Sequence, residues 1–246
     1  MRKFGLIGRV LSHSFSQQYF TQKFSREGLS AECEYSLYEL EMVDLLPALL
    51  KNNPELVGLN VTIPYKKQVI PYLNSLSEEA ALVGAVNCIK INSDGTLVGY
   101  NTDVDGVRFS LDKLLGDTAV ASALVLGSGG AAQAVCYVLR ERSIEPCVVS
   151  RQAGKGDICY EELTQEVIAS NRLIINATPV GTFPHIDECP AIPYDHITPS
   201  HFLFDLVYNP SQTEFLRRGL SKGAHTLSGI DMLYAQADKA WDIWCR

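Results

Sequence analysis

The run Ala123-Leu-Val-Leu-Gly-Ser-Gly-Gly-Ala-Ala-Gln-Ala-Val135 carries an apolar stretch into a glycine turn and then into a helical pattern. This order of strand, turn and helix constrains the chain more than any other feature, because it belongs to a parallel α/β unit. Gly127 permits a tight turn, Gly129 lets the backbone approach a phosphate, and Ala132 is small enough for the helix to lie close on the strand. The first N–H groups of such a helix lack partners within it and face an anion. An ordinary strand-to-helix turn would also use these glycines, but the strand context favours a dinucleotide.

The next strand, Cys147-Val-Val149, ends in Ser150 and Arg151. An NAD-binding unit usually places Asp or Glu there, on the ribose 2′-hydroxyl. No carboxylate is present, and the planar fork of a guanidinium suits a 2′-phosphate. NADP is therefore the expected cofactor; a solvated loop cation is the other reading of Arg151.

Of 246 residues, 46% are hydrophobic and 20% charged, which supports one large core or two modest ones. A net charge of −7 with no basic run argues against a nucleic-acid partner. The apolar run in Met1–Gly8 is too short for a signal peptide, and no segment approaches the ~20 apolar residues of a membrane span. A cytoplasmic protein with no membrane partner is expected. The seven cysteines are scattered without C-x-x-C spacing, so neither a disulfide framework nor a metal site is indicated, and most are expected to be small buried hydrophobes.

Strand and helix patterns alternate through the first hundred residues: strand 4–7, helix 17–27 capped by Ser16 and closed by Gly28, strand 34–40, helix 43–51, strand 57–61, a short helix, and a hairpin over 85–91 and 97–100. A helix over 104–115 leads to the glycine turn. Further strands are expected at 173–176, 202–206 and 225–227, with a helix opened by the capping box Ser211-x-x-Glu214 and a last helix over 231–244. The expected architecture is two α/β domains: a substrate domain of 1–103 plus 228–246 with a mainly parallel sheet, and a Rossmann-type domain of 104–227. With a cofactor in one domain, the substrate is expected in the cleft between them.

Three polar clusters lie where first-domain strands end: Ser12-His-Ser-Phe-Ser16, Asn60-Val-Thr-Ile-Pro-Tyr-Lys66, and Val86-Asn87 with Asn101-Thr-Asp103. Each has a structural explanation, as helix caps, self-satisfied turns or a solvated lysine. Together they resemble the shikimate dehydrogenase family. The matching elements are Phe4-Gly-Leu-Ile-Gly-x-x-x-Ser-His-Ser-x-Ser16, Asn60-Val-Thr-Ile-Pro-Tyr-Lys66, Gly84-Ala-Val-Asn87, Gly99-Tyr-Asn-Thr-Asp-x-x-Gly106, Gly127-Ser-Gly-Gly-Ala131, Asn176-Ala-Thr-Pro179 and Met232-Leu-Tyr-x-Gln-Ala237, in the family's order.

The resemblance implies reversible NADP-dependent reduction of 3-dehydroshikimate to shikimate in aromatic amino acid and chorismate biosynthesis. It implies Ser14 and Ser16 on the substrate carboxylate, Thr62, Asn87, Asp103 and Gln236 on ring hydroxyls, Asn60 at the pocket floor, and Lys66 as the catalytic lysine. Gly127, Ser128, Gly129, Gly130 and Ala131 fall in the cofactor loop, Ser150, Arg151 and Lys155 at its adenine end, and Tyr208 and Gly229 near the nicotinamide end. Oxidising a secondary alcohol by hydride transfer requires a group that takes the hydroxyl proton and returns it in the reverse direction. Lys66 can do both and Asp103 can orient it; which of the two is the proton donor stays open. No metal is needed, and His13 is expected to be loop structure. The sequence leaves a homodimer open. An NAD-using quinate/shikimate dehydrogenase and a non-catalytic dinucleotide or shikimate sensor are the alternatives.

Two departures from the family stand out. Gln17 occupies a position where proline is common, and Ser150-Arg-Gln-Ala-Gly-Lys-Gly-Asp157 runs almost directly into the next element, as though a helix were missing. The adenine end of the site is expected to be reduced.

Overall fold

The computed structural model describes residues 1–12 and 14–245, so the expectation for His13 lies outside the described residues. The chain divides into two compact units, Met1–Thr102 with Ala237–Arg246, and Asp103–Gln236.

The first unit is built on β1 (Arg2–Gly8), α1 (Ser16–Arg26), β2 (Cys33–Glu39), α2 (Leu46–Asn52), β3 (Leu56–Val61), β4 (Ser75–Leu76), α3 (Glu78–Val83), β5 (Cys88–Ile91) and β6 (Leu97–Tyr100). Its sheet runs β2-β1-β3-β5-β6-β4. Three pairings are parallel (β1 with β2, β1 with β3, β4 with β6), and β5 is antiparallel to both neighbours. The antiparallel insertion follows from the tight turn of residues 92–96, which lets β6 return directly alongside β5.

β1 is central and buried on both faces, so its apolar residues divide by the two-residue period of a strand. Phe4 and Leu6 join Phe20, Phe24, Tyr35 and Trp244 in one cluster, while Ile7 joins Val43, Leu46, Leu59 and Tyr65 in another. The indole of Trp244 stacks on Phe4 at 5.0 Å and donates to the Ile89 carbonyl at 3.0 Å. It lies so close over Gly58 that a Cβ there would come within 2.3 Å of the indole nitrogen.

The second unit contains α4 (Asp103–Leu115), β7 (Ser122–Leu126), α5 (Gly130–Glu141), β8 (Glu145–Ser150), β9 (Ile158–Cys159), α6 (Gln165–Ser170), β10 (Leu173–Asn176), β11 (Phe202–Asp205), α7 (Glu214–Ser221) and β12 (His225–Leu227), and α8 (Ile230–Cys245) begins in it. Its strands are all parallel, in the order β12-β11-β10-β7-β8-β9. Numbered from β7, this is the doubly wound order 3-2-1-4-5-6 read from the other edge. No helix lies between β8 and β9: residues 151–157 form a turn held by Asp157, whose N–H donates to the Val148 carbonyl and whose carboxylate accepts from the Val148 N–H.

Three local expectations are corrected. Ser16 is the first residue of α1 and not its cap; the N-cap is Phe15, with no side-chain bond. The box starting at Ser211 does not form, because α7 begins one residue after Thr213, whose buried hydroxyl accepts from the Leu216 N–H, and Glu214 turns to Arg217 and Arg218. Of the seven cysteines only Cys33, Cys88 and Cys136 are buried; Cys147, Cys159 and Cys189 are half-buried and Cys245 is exposed, since Cys147 lies on β8 beyond the reach of the two-residue β9, Cys159 on that edge strand, Cys189 on a loop and Cys245 at a helix end. No helix of the described residues is long and apolar enough to cross a membrane.

Candidate functional site

In the first unit, the carboxyl ends of β1 and β3 and the amino end of β5 bring the predicted polar residues together. β3 and β5 are antiparallel with Asn60 opposite Cys88, which places Asn87 beside the end of β3, and its carbonyl accepts from the Val61 N–H at 2.8 Å. The Asn60 amide donates to the same carbonyl at 3.3 Å. The Thr62 N–H donates to Ile7 at 2.9 Å, tying the segment to β1. Lys66 is half-buried on the turn that follows. The turn is fixed from two sides, because the buried Tyr65 phenol donates to the Leu40 carbonyl at 2.5 Å and the Val86 N–H donates to the Lys66 carbonyl at 2.7 Å. Asn87 and Lys66 are thus held on neighbouring segments. The Asn87 side chain grips Thr102, accepting from its N–H at 2.7 Å.

Ser14 lies on the loop from β1 into α1 and Ser16 opens the helix, and the Ser14 hydroxyl accepts from the Ser16 N–H at 3.2 Å. Neither is exposed to the degree of Gln17, whose side-chain amide donates to the Tyr35 carbonyl and so does the anchoring that a proline would do by rigidity.

In the second unit, Gly127 has φ +108°, a conformation glycine adopts without strain, and its N–H donates to the Val149 carbonyl at 2.8 Å. A Cβ on Gly127 would press on Thr178, whereas a Cβ on Gly129 would meet no atom within 4 Å, so the space above the turn is open. α5 starts with Gly130 and Ala131, and no side chain caps its first N–H groups. These features leave an anion site with its positive helix end uncovered. Ser150 closes β8, its hydroxyl accepting from the Gln152 N–H, while Arg151 and Lys155 are exposed on the short turn. Among the described residues no carboxylate hydrogen-bonds Arg151.

Gly229 lies directly under the loop after β11: a Cβ there would come within 2.3 Å of the Leu206 carbonyl oxygen, and its N–H donates to Val207 at 3.1 Å. Tyr208 is carried on that loop. Asp103 is buried at the first position of α4, and Gln236 is half-buried on α8.

Two groups of residues went unnoticed in the sequence. Tyr35, on β2, is 3% exposed and donates to Asn60 Oδ1 at 2.8 Å. Asp205 closes β11 directly opposite Asn176, which closes β10. Its carboxylate accepts from the Asn176 amide at 2.9 Å, the Val207 N–H at 3.0 Å and the Thr213 hydroxyl at 2.5 Å, and Asn176 in turn accepts from Thr178. Burial pushes the Asp205 carboxyl up to about 7, against the smaller opposing effect of those three donors. A polar residue ending each of two adjacent apolar strands was the visible signal, but their pairing required the strand register.

Comparison with known proteins places these units together in one family. Residues 6–89 match the family described as "Shikimate dehydrogenase substrate binding domain". The chain is 36% identical to "Shikimate dehydrogenase (NADP(+))" of Clostridium beijerinckii over 99% of its own length and 92% of that protein. Among solved structures, shikimate dehydrogenase 1 from Peptoclostridium difficile superposes with a TM-score of 0.88 at 36% identity, over 100% of this chain and 92% of that one. The Thermus thermophilus shikimate 5-dehydrogenase, solved with NADP(H) and shikimate, gives 0.86 at 32% identity over 99% and 93%. With relatives this similar along both units, the chain belongs to the shikimate dehydrogenase family.

Proposed function

We propose that this protein catalyses the reversible NADP-dependent reduction of 3-dehydroshikimate to shikimate in aromatic amino acid and chorismate biosynthesis. The observation that carries the proposal is the joining of Asn60, Lys66 and Asn87 by hydrogen bonds to shared backbone segments, in a chain whose other unit has the dinucleotide-binding strand order. The first unit is the substrate-binding part and the second the NADP-binding part.

The second unit fits NADP: the uncapped start of α5 and the open space at Gly129 suit a pyrophosphate, and Arg151 stands where an NAD site would need a carboxylate. When bound, NADP accepts or supplies the hydride. Gly127 to Ala131 cradle its phosphates, Ser150, Arg151 and Lys155 meet the adenine end, and Tyr208 and Gly229 shape the nicotinamide end. Ser14 and Ser16 hold the substrate carboxylate, Asn60 floors the pocket, and Thr62, Asn87 and Gln236 hold ring hydroxyls. Lys66 takes the proton of the reacting hydroxyl and returns it in the reverse direction, with Asp103 orienting it. The free thiols accord with a cytoplasmic setting, and the charge with a small-molecule partner and no nucleic acid.

Shikimate and quinate, each assayed with NADP and with NAD by nicotinamide absorbance, test the proposal. Turnover is expected with shikimate and NADP above the other three pairs; no turnover with shikimate would sink it, and a preference for NAD would overturn the cofactor assignment.

The short turn after β8 leaves few groups for the 2′-phosphate. Arg151→Ala is therefore expected to weaken NADP more than NAD by about 1–3 kcal/mol, the scale of a charge-assisted hydrogen bond. Lys155→Ala should have a smaller effect, because its glycine-flanked turn must lose freedom on binding. Fluorescence titration with each cofactor decides the matter; equal losses for both would remove Arg151 from 2′-phosphate recognition.

A further inference from the structure

Asp205 ends β11 fully buried, and Asn176 and Thr213 beside it are buried to the same degree. Its carboxylate collects donors from three separate stretches of chain. Oδ1 accepts from the Asn176 amide at the end of β10 and from the Val207 N–H, while Oδ2 accepts from the Thr213 hydroxyl at the start of α7. Val207 is engaged from both sides, because its carbonyl accepts from the Gly229 N–H at 3.1 Å. Gly229 also presses on the same backbone: a Cβ there would lie 3.1 Å from the Asp205 carbonyl oxygen, besides its clash with Leu206. One carboxyl group thus holds the residue before Tyr208 and, through it, the residue before α8.

The loops after β10 and β11 differ in how much they depend on Asp205. The first is held by Asn176 itself, whose side-chain oxygen accepts from the Thr178 N–H at 3.1 Å and hydroxyl at 2.6 Å, and whose amide donates to the Val180 carbonyl at 3.3 Å. The second starts on the bond from Val207 to Asp205. Without that acceptor the buried Val207 N–H is left unpaired, a cost the loop relieves by moving.

We propose, on the NADP reading given above, that Asp205 is a positioning residue for the cofactor: it fixes Val207, and through it Tyr208 and Gly229, as the wall on which the nicotinamide end rests. It acts through the backbone of the loop after β11 and not by contact with the cofactor.

Calorimetric titration with NADP and with ADP-ribose 2′-phosphate, which is NADP without its nicotinamide, separates this role from general stability. Asp205→Ala is expected to raise the Kd for NADP about 5- to 30-fold and to leave that for ADP-ribose 2′-phosphate within about twofold. Asp205→Asn, whose amide can keep all three bonds, should recover most of the NADP affinity. Thr213→Val loses the bond to Oδ2 and the cap of α7, so its Tm should fall, but the Asn176 and Val207 bonds remain and its Kd for NADP should stay within about twofold of the unmodified value. A partly unfolded variant weakens both ligands by the same factor, so the ratio of the two Kd values still reports the loop. If the alanine chain does not fold at all, Asp205→Ser, with one hydroxyl in place of two acceptor oxygens, takes its place.

An equal rise for both ligands, an unchanged Kd for NADP in Asp205→Ala, no recovery in Asp205→Asn, or a matching loss in Thr213→Val would overturn the role given to Asp205 while leaving the enzyme assignment intact. An unmodified protein that does not bind NADP would overturn the cofactor assignment, and this role with it.

Discussion

Lys66→Ala is expected to lower turnover about 10²–10⁴-fold, the usual contribution of a positioned acid–base group, with NADP affinity nearly unchanged. The substitution removes the ammonium and leaves its support in place. The Lys66 carbonyl keeps its bond from the Val86 N–H, and the adjacent Tyr65 remains anchored on Leu40, so the backbone of the turn has no reason to rearrange. The residues given to the cofactor lie in the other unit. Steady-state kinetics with shikimate and a separate cofactor titration measure the two quantities. Turnover within a few-fold of the unmodified protein would make Lys66 a surface residue, and loss of activity in Asp103→Asn but not in Lys66→Ala would transfer the proton to Asp103.

Asp205 should make the protein lose stability as pH rises toward neutrality. Its carboxyl is raised from an ordinary 3.8 to about 7 in the folded state. Between those values the folded chain holds a proton that the unfolded chain has released, so stability falls with increasing pH across that window and levels off above it. A shift of this size corresponds to about 4 kcal/mol between pH 4 and pH 8. Asp205→Asn should abolish this component. One amide oxygen can accept from Asn176 and Val207, as Oδ1 does now, and the amide nitrogen can donate to Thr213, so the variant should be the more stable protein at pH 8. Urea unfolding of both proteins from pH 5 to pH 8 isolates the difference, since other groups titrate alike in each. Parallel stability curves would show that Asp205 is ionised in the fold at all these pH values.

The parts of the fold legible in the sequence were those set by neighbours in the chain. The glycine turn, the apolar four-residue strands and the missing helix after Arg151 depend on local backbone freedom and on segment length, and each can be seen in a window of a few residues. The parallel order of the second sheet followed from strands alternating with helices. What escaped detection depends on register. Tyr35 looks like any strand aromatic until β2 is laid beside β1, and Asp205 looks like an ordinary strand-ending residue until Asn176 is found opposite. Thr213 took the cap from Ser211 for the same reason, because its hydroxyl is claimed by Asp205 from a distant strand end. The substrate-site residues were recognised as motifs, but the hydrogen bonds between Asn60, Asn87 and Thr102 exist only once β3 and β5 are antiparallel.

The seat of Trp244 over Gly58 has a consequence for the birth of the protein on the ribosome. The strands of the first unit are synthesised first, yet the aromatic face made by Phe4, Phe20 and Tyr35 waits for Trp241 and Trp244, which are translated after all of residues 103–236. The second unit can therefore finish folding before the first, reversing the usual order of emergence. Throughout that interval the nascent chain presents an uncovered aromatic surface, which is the kind of surface that holding chaperones grasp.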